Sequence, residues 1–171
     1  MHLDAEAAFG MLKKLGAPSR LLMHGRLVLE AADALLECID ELPFEVDVAW
    51  VRAGAVLHDA GKSIHSNELS GGGCAHEAAG QKLLLSHGVP ARVARVCVSH
   101  GAWDSDGLAI EELMVALADK LWKGRRVEAL EKRFIDRAVA VSGLDRWSLW
   151  VKLDSVFEQI ADGGFDRLSR S

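Results

Sequence analysis

The feature that most constrains this chain is a helical period with ligand-type residues set inside it. Apolar residues recur at spacings of three and four between Gly and Pro punctuation. The first such stripe is Leu21, His24, Val28, Ala31 and Leu35. His58 ends the face that carries Val51, Gly54 and Ala55. His76 shares a stripe with Ala79, Gly80 and Leu83, and His100 with Val93, Val96 and Cys97. Asp119 lies among Val115, Ala116 and Trp122. Side chains at these spacings share one helix face, so each of these polar groups points the way the apolar ones do.

Strand signals are scarce. The chain has no Tyr, only 6% aromatic residues, and no alternating polar and apolar run. Ala, Leu, Glu, Arg and Lys dominate, and all are good helix formers. The pattern predicts helices over residues 4–15, 19–42, 45–59, 74–87, 90–100, 110–123, 126–141 and 145–161. Ser19 is a candidate cap, and Pro43 and Gly88 are candidate stops. Trp147, Trp150, Leu153, Val156, Phe157 and Ile160 read as the packing face of the last helix. Small residues before His58, among them Gly54, would let another helix approach closely. The expectation is an all-α chain of about seven to eight helices, folded as a single domain over residues 1–171.

Charge and cysteines narrow the function classes. A net charge of −5 argues against binding polymeric nucleic acid through a broad basic surface. Cys38, Cys74 and Cys97 are scattered and form no CxxC pair, which suits reduced thiols. The first residues lack a signal-peptide pattern, and no apolar run is long enough to span a bilayer. A cytoplasmic protein with no membrane partner is expected, and a homo-oligomer is compatible with the sequence.

A lone core-facing histidine is more often hydrogen-bonded packing than a ligand. A buried, unpaired carboxylate such as Asp119 is harder to dismiss, because it must be paired, coordinated or protonated. Four histidines and two aspartates facing inward would destabilise a small core if each were buried separately. A shared metal centre satisfies them together, and six ligands are enough for two ions bridged by a carboxylate such as Asp59. The other histidines read differently. His2 is a terminus without a role, His65 a solvated loop residue, and His87 a cation at a helix end. Lys62 reads as a helix-end lysine or a phosphate contact. Lys120, Lys123, Arg125 and Arg126 read as a solvated helix end or a phosphate clamp. Gly71-Gly72-Gly73 suggests a mobile loop near the site.

Three segments carry a family resemblance: Arg20-Leu21-Leu22-Met23-His24, Ala53-Gly54-Ala55-Val56-Leu57-His58-Asp59-Ala60-Gly61-Lys62, and Leu117-Ala118-Asp119-Lys120. Their order, His, then His-Asp, then a distant Asp, resembles the HD superfamily of metal-dependent phosphohydrolases. The likeness covers about residues 19–125 and leaves helices from about 126 to 161 as additional packing. Ala75-His76-Glu77 and Val98-Ser99-His100-Gly101 fit the places of the two extra histidines in members with a binuclear centre. The resemblance implies a helical HD domain with two divalent metal ions (Fe, Mn, Co, Zn or Mg). His24, His58, Asp59 and Asp119 would hold one ion, and Asp59, His76 and His100 the other. The Ala118-Asp119-Lys120 triplet followed by Gly124-Arg125-Arg126 looks like the branch that cleaves dinucleoside polyphosphates. The Gly-Tyr-Pro signature of the cyclic-dinucleotide branch is missing.

The activity so implied is hydrolysis of a phosphoester or phosphoanhydride, in a nucleotide or other small phosphate compound, by a metal-activated water. Asp59 and Lys62 are expected to carry catalysis, with Lys62, Lys120 and Arg125 steadying the phosphates. Two alternatives share the same residues. One is an HD-type di-iron oxygenase, which iron content and oxygen-dependent turnover would reveal. The other is a nucleotide sensor that binds without turnover.

Overall fold

A computed structural model describes residues 3–171, which form helices and turns with no strand among them. In chain order the helices are α1 (Ala5–Lys14), α2 (Ser19–Ile39), α3 (Val48–Leu57), α4 (Ala75–Ser86), α5 (Ala91–Ala94), α6 (Val96–Ser99), α7 (Ile110–Leu121), α8 (Glu128–Ser142), α9 (Arg146–Asp162) and α10 (Gly164–Ser169). Two 3₁₀ turns, Ala60–Ser63 and Ser66–Leu69, link α3 to α4. The all-α expectation holds. His2 lies outside the described residues.

Local chemistry starts several helices. Asp4, Asp47 and Asp145 accept hydrogen bonds from the backbone N–H groups of Ala7, Trp50 and Ser148 at 2.8, 3.0 and 2.8 Å. Asp47 thereby sets the start of α3 at Val48, three residues later than the sequence pattern suggested. The pattern also ran α2 to residue 42, but it stops at Ile39. The single helix expected over residues 90–100 is divided at Arg95 into α5 and α6. Arg95 there pairs with Glu112, a fully buried carboxylate, with Nε 2.8 Å from Oε1.

α7 is apolar on nearly every side, and the core divides into two hydrophobic clusters. One joins α2, α7, α8 and α9 through Leu35, Met114, Leu117, Phe134 and Phe157. The other joins α1, α3, α4 and α5 through Leu12, Val56, Leu57, Leu84 and Val93. The approach of helices onto α3 depends on Gly54, where a Cβ would come within 2.9 Å of Val115 Cγ2. The α9 face needs correction: Leu149, Leu153, Phe157 and Ile160 form its buried stripe, while Trp147 is 71% exposed. Trp147 lies off the three-and-four spacing of that stripe, and periodicity outweighs its apolar character.

The chain does not end its helices at residue 161. Gly163 and Gly164 turn it into α10, and Gly164 packs so closely on Gly124 that a Cβ would overlap the Gly124 backbone nitrogen. Arg167 of α10 is buried, and its guanidinium donates to the carbonyl oxygens of Trp122 at 2.8 Å, Leu121 at 3.3 Å, and Ile160. It satisfies the open carbonyl ends of both α7 and α9.

The thiols differ sharply. Burial pushes the Cys97 thiol up to about 12, and its Sγ lies 3.4 Å from the Leu57 carbonyl oxygen it donates to. Cys74 is exposed. A disulfide reagent at pH 8 is expected to titrate Cys74 quickly in the native protein and Cys97 only after denaturation. Equal reaction rates at the two positions would contradict the packing.

Candidate metal centre

Five helices and one 3₁₀ turn deliver the ligand-type side chains. His24 comes from the first turns of α2, His58 follows the end of α3, and Asp59 opens the adjoining 3₁₀ turn. His76 is in the first turn of α4, His100 follows α6, and Asp119 is in the last turn of α7. All but His24 are buried. The structure thus brings together the five polar residues of the stripes and Asp59, the neighbour of His58.

Their donor atoms face one another at short range. His24 Nε2 lies 3.1 Å from His58 Nε2 and 3.1 Å from Asp59 Oδ2. Asp119 Oδ1 lies 3.5 Å from His58 Nε2 and 3.9 Å from His24 Nε2. On its other side, Asp59 Oδ1 lies 3.1 Å from His76 Nε2 and 3.7 Å from His100 Nε2. The two oxygens of Asp59 therefore face two different pairs of histidines. Three compact triads result: His24, His58 and Asp59; His58, His100 and Asp119; and Asp59, His76 and His100. The middle triad links residues that the sequence reading had assigned to separate ions.

The opposite edges of the rings explain their aim. His58 Nδ1 donates to the Ala55 carbonyl at 2.9 Å and His100 Nδ1 to the Val96 carbonyl at 3.0 Å. His76 Nδ1 lies 2.5 Å from Glu68 Oε2. With the proton held at Nδ1, each Nε2 presents a lone pair to the cluster. Asp59 Oδ1 and His76 Nε2 are both buried without a hydrogen bond, although 3.1 Å apart. They point past each other, as two ligands of one ion do. Separations of this size match the edges of a coordination shell whose bonds are about 2.0–2.2 Å. The residues fit a divalent metal.

Electrostatics agree. Burial would raise the Asp59 carboxyl, but His58 and the nearby His24 and His76 hold it well below the usual carboxylate range. Asp119 is likewise held well below that range, chiefly by His58 and Lys120, against the effect of burial. Burial, reinforced by the charge of His58, pushes His100 down to about 4. Burial lowers His24 also. At His58 burial is outweighed by Asp59 and Asp119, and its pKa is raised. Two ionised carboxylates in one buried cluster thus draw positive charge to themselves, which is what a cation supplies.

A family model described as HD domain matches residues 5–123. The chain belongs to the HD-domain family. HD domains are mostly metal-dependent phosphohydrolases. No curated protein and no solved structure matches the chain. The matched part of the HD domain contains all six clustered residues and leaves α8, α9 and α10 outside it.

The HD-domain cluster opens into a cavity of about 270 Å³. His24 and Asp59 line it, as do three cations, Arg20, Lys62 and Lys123, and three apolar side chains, Leu69, Trp122 and Leu168. Lys62 Nζ lies 2.7 Å from Asp59 Oδ2, and Lys120 Nζ 2.6 Å from Asp119 Oδ2. Lys120 does not line the cavity, and neither does Arg125, which is exposed. Arg126 is held by Glu131 at 2.8 Å and by Asp154 at 2.5 Å. His65 is half-buried outside the cavity lining, and the exposed His87 ends α4 with Nδ1 2.9 Å from the Leu83 carbonyl. A larger groove of about 510 Å³ along residues 36–48 has no histidine, lysine or arginine in its lining. Among the described residues no helix is long and apolar enough to cross a membrane.

Sequence reasoning missed Glu68, Arg20 and the wall at Leu168. Glu68 is buried and also accepts from the backbone N–H groups of Ala75 at 3.3 Å and His76 at 3.2 Å. It caps α4 and orients His76 at once. Glu68→Ala is expected to weaken metal binding by about 10- to 100-fold, as loss of a carboxylate behind a ligating histidine does. Titration of the metal-free variant with Mn²⁺ checks this, and an unchanged affinity would reject the orienting role.

Proposed function

We propose that the chain is a phosphohydrolase that cleaves a phosphoester or phosphoanhydride, in a nucleotide or a similar small phosphate compound. The reading rests on the Asp59 carboxylate, whose two oxygens face separate histidine pairs with their lone pairs converging. His24, His58, Asp59 and Asp119 would hold one divalent ion, and Asp59, His76 and His100 a second. Bound ions supply a water of lowered pKa and neutralise charge on phosphoryl oxygens. The chain's own residues do the rest. Lys62 and Lys120 hold the Asp59 and Asp119 carboxylates in place. Arg20, Lys62 and Lys123 line the cavity as donors for phosphate oxygens, and Arg guanidinium can take two of them at once. Arg125 is exposed and is not among the residues that line the cavity. Leu69 and Trp122 exclude water beside the reacting group.

Protein loaded with Mn²⁺, Fe²⁺ or Co²⁺ is expected to release phosphate from at least one member of a nucleotide panel, and chelator should abolish the release. No release from any compound, with metal content verified, would reject the proposal.

A further inference from the structure

Part of the cavity wall comes from outside the stretch that matches the HD-domain family. Leu168, on α10, lines the same cavity as His24, Asp59 and Lys62, yet the family match stops at residue 123. The wall is fixed in place. Arg167 is pinned beneath it to the carbonyl ends of α7 and α9. Arg170 holds Glu30 of α2 through two nitrogens, each at 3.0 Å. Gly164 abuts the backbone of Gly124, with Lys123 C only 2.7 Å from where a Cβ would stand. Leu168 itself is 45% exposed, an apolar side chain left open at the cavity.

The cavity is lined by side chains of two chemical kinds. His24, Asp59 and the cations suit phosphate oxygens, while Leu69, Trp122 and Leu168 suit an apolar or planar group. We infer that Leu168 is a specificity-determining residue that contacts the organic group carried by the phosphate. This rests on the phosphohydrolase reading for the placement of the phosphate. It adds that the protein favours phosphates bearing a ring or base over small phosphates, and that the discrimination comes from a segment outside the family-matched region. The size of a single apolar contact sets the expected effect at about tenfold.

Binding of methylphosphonate and benzylphosphonate to Mn²⁺-loaded protein, followed by calorimetry, tests this without turnover, because the C–P bond resists hydrolysis. Wild type should bind benzylphosphonate about tenfold more tightly. Leu168→Ala, which loses the contact, and Leu168→Trp, which narrows the cavity, should each reduce that preference severalfold or more and leave methylphosphonate unchanged. Leu168 is half-exposed, so both variants should keep the wild-type thermal midpoint. Equal affinities in wild type, or an equal change for both ligands in the variants, would overturn the inference. A correct binding pattern with no phosphate released from any nucleotide would instead sink the phosphohydrolase reading and leave the role of Leu168 standing.

Discussion

Asp59→Ala is expected to abolish metal binding at both halves of the centre and to lower any phosphatase activity at least a thousandfold. That loss corresponds to about 4 kcal/mol of transition-state stabilisation. The reason is geometric. Oδ2 faces His24 and His58 and Oδ1 faces His76 and His100, so a single side chain serves both pairs. Removing one residue therefore removes a ligand from both triads that contain it. Stability separates this from simple misfolding. A ligand present at about a hundred times its dissociation constant stabilises the folded state by about 2.7 kcal/mol. Wild type should show a rise of that order in melting experiments with added Mn²⁺, and Asp59→Ala should show none. A variant that retains the metal-dependent rise would contradict the bridging position.

Gly61→Ala should be the most damaging small substitution outside the ligands. A Cβ there would overlap the carbonyl oxygen of His76 and stand 2.7 Å from the nitrogen of Gly80. Both atoms are backbone, so no side-chain rotation relieves the overlap. Gly80 faces the same contact from the other side, where a Cβ would lie 2.8 Å from the Gly61 nitrogen. The turn after Asp59 and the first turn of α4 thus touch backbone to backbone, which holds His76 beside Asp59. The expected cost is about 3–5 kcal/mol, or roughly 10 °C in thermal midpoint for a chain of this size. Gly10→Ala is the control. Gly10 is in α1 with nothing within 4 Å of an added Cβ. There the change should stabilise by about 0.5–1 kcal/mol, since alanine loses less backbone entropy in a helix. Similar midpoints for the two variants would show that the contact at Gly61 is not tight.

These two positions show what the sequence makes legible. The helices and five of the inward residues follow from periodicity, a property of each segment alone; seven of the eight expected helices are present with shifted ends, and the one over residues 90–100 is divided at Arg95. Five of the ligand-type residues could be seen because each is polar within an apolar stripe, and Asp59 because it stands beside His58. Glu68 had no such stripe around it. It sits in a 3₁₀ turn, and only the fold of residues 60–76 brings it to His76. Gly61 looked like part of a motif, whereas its contact with α4 depends on how two segments pack. Arg20, Lys123 and Leu168 share a cavity although they come from α2, the end of α7 and α10. No spacing rule relates residues that far apart in sequence. Trp147 misled in the opposite direction, since its apolar ring suggested burial that the register of α9 does not give it.

The central claim is that one carboxylate joins two ion sites. Metal analysis of protein purified without chelators, alongside Asp59→Ala and His76→Ala, tests it most directly. Two divalent ions per wild-type chain are predicted, one for His76→Ala and none for Asp59→Ala. No metal in wild type, or full occupancy in Asp59→Ala, would contradict the claim.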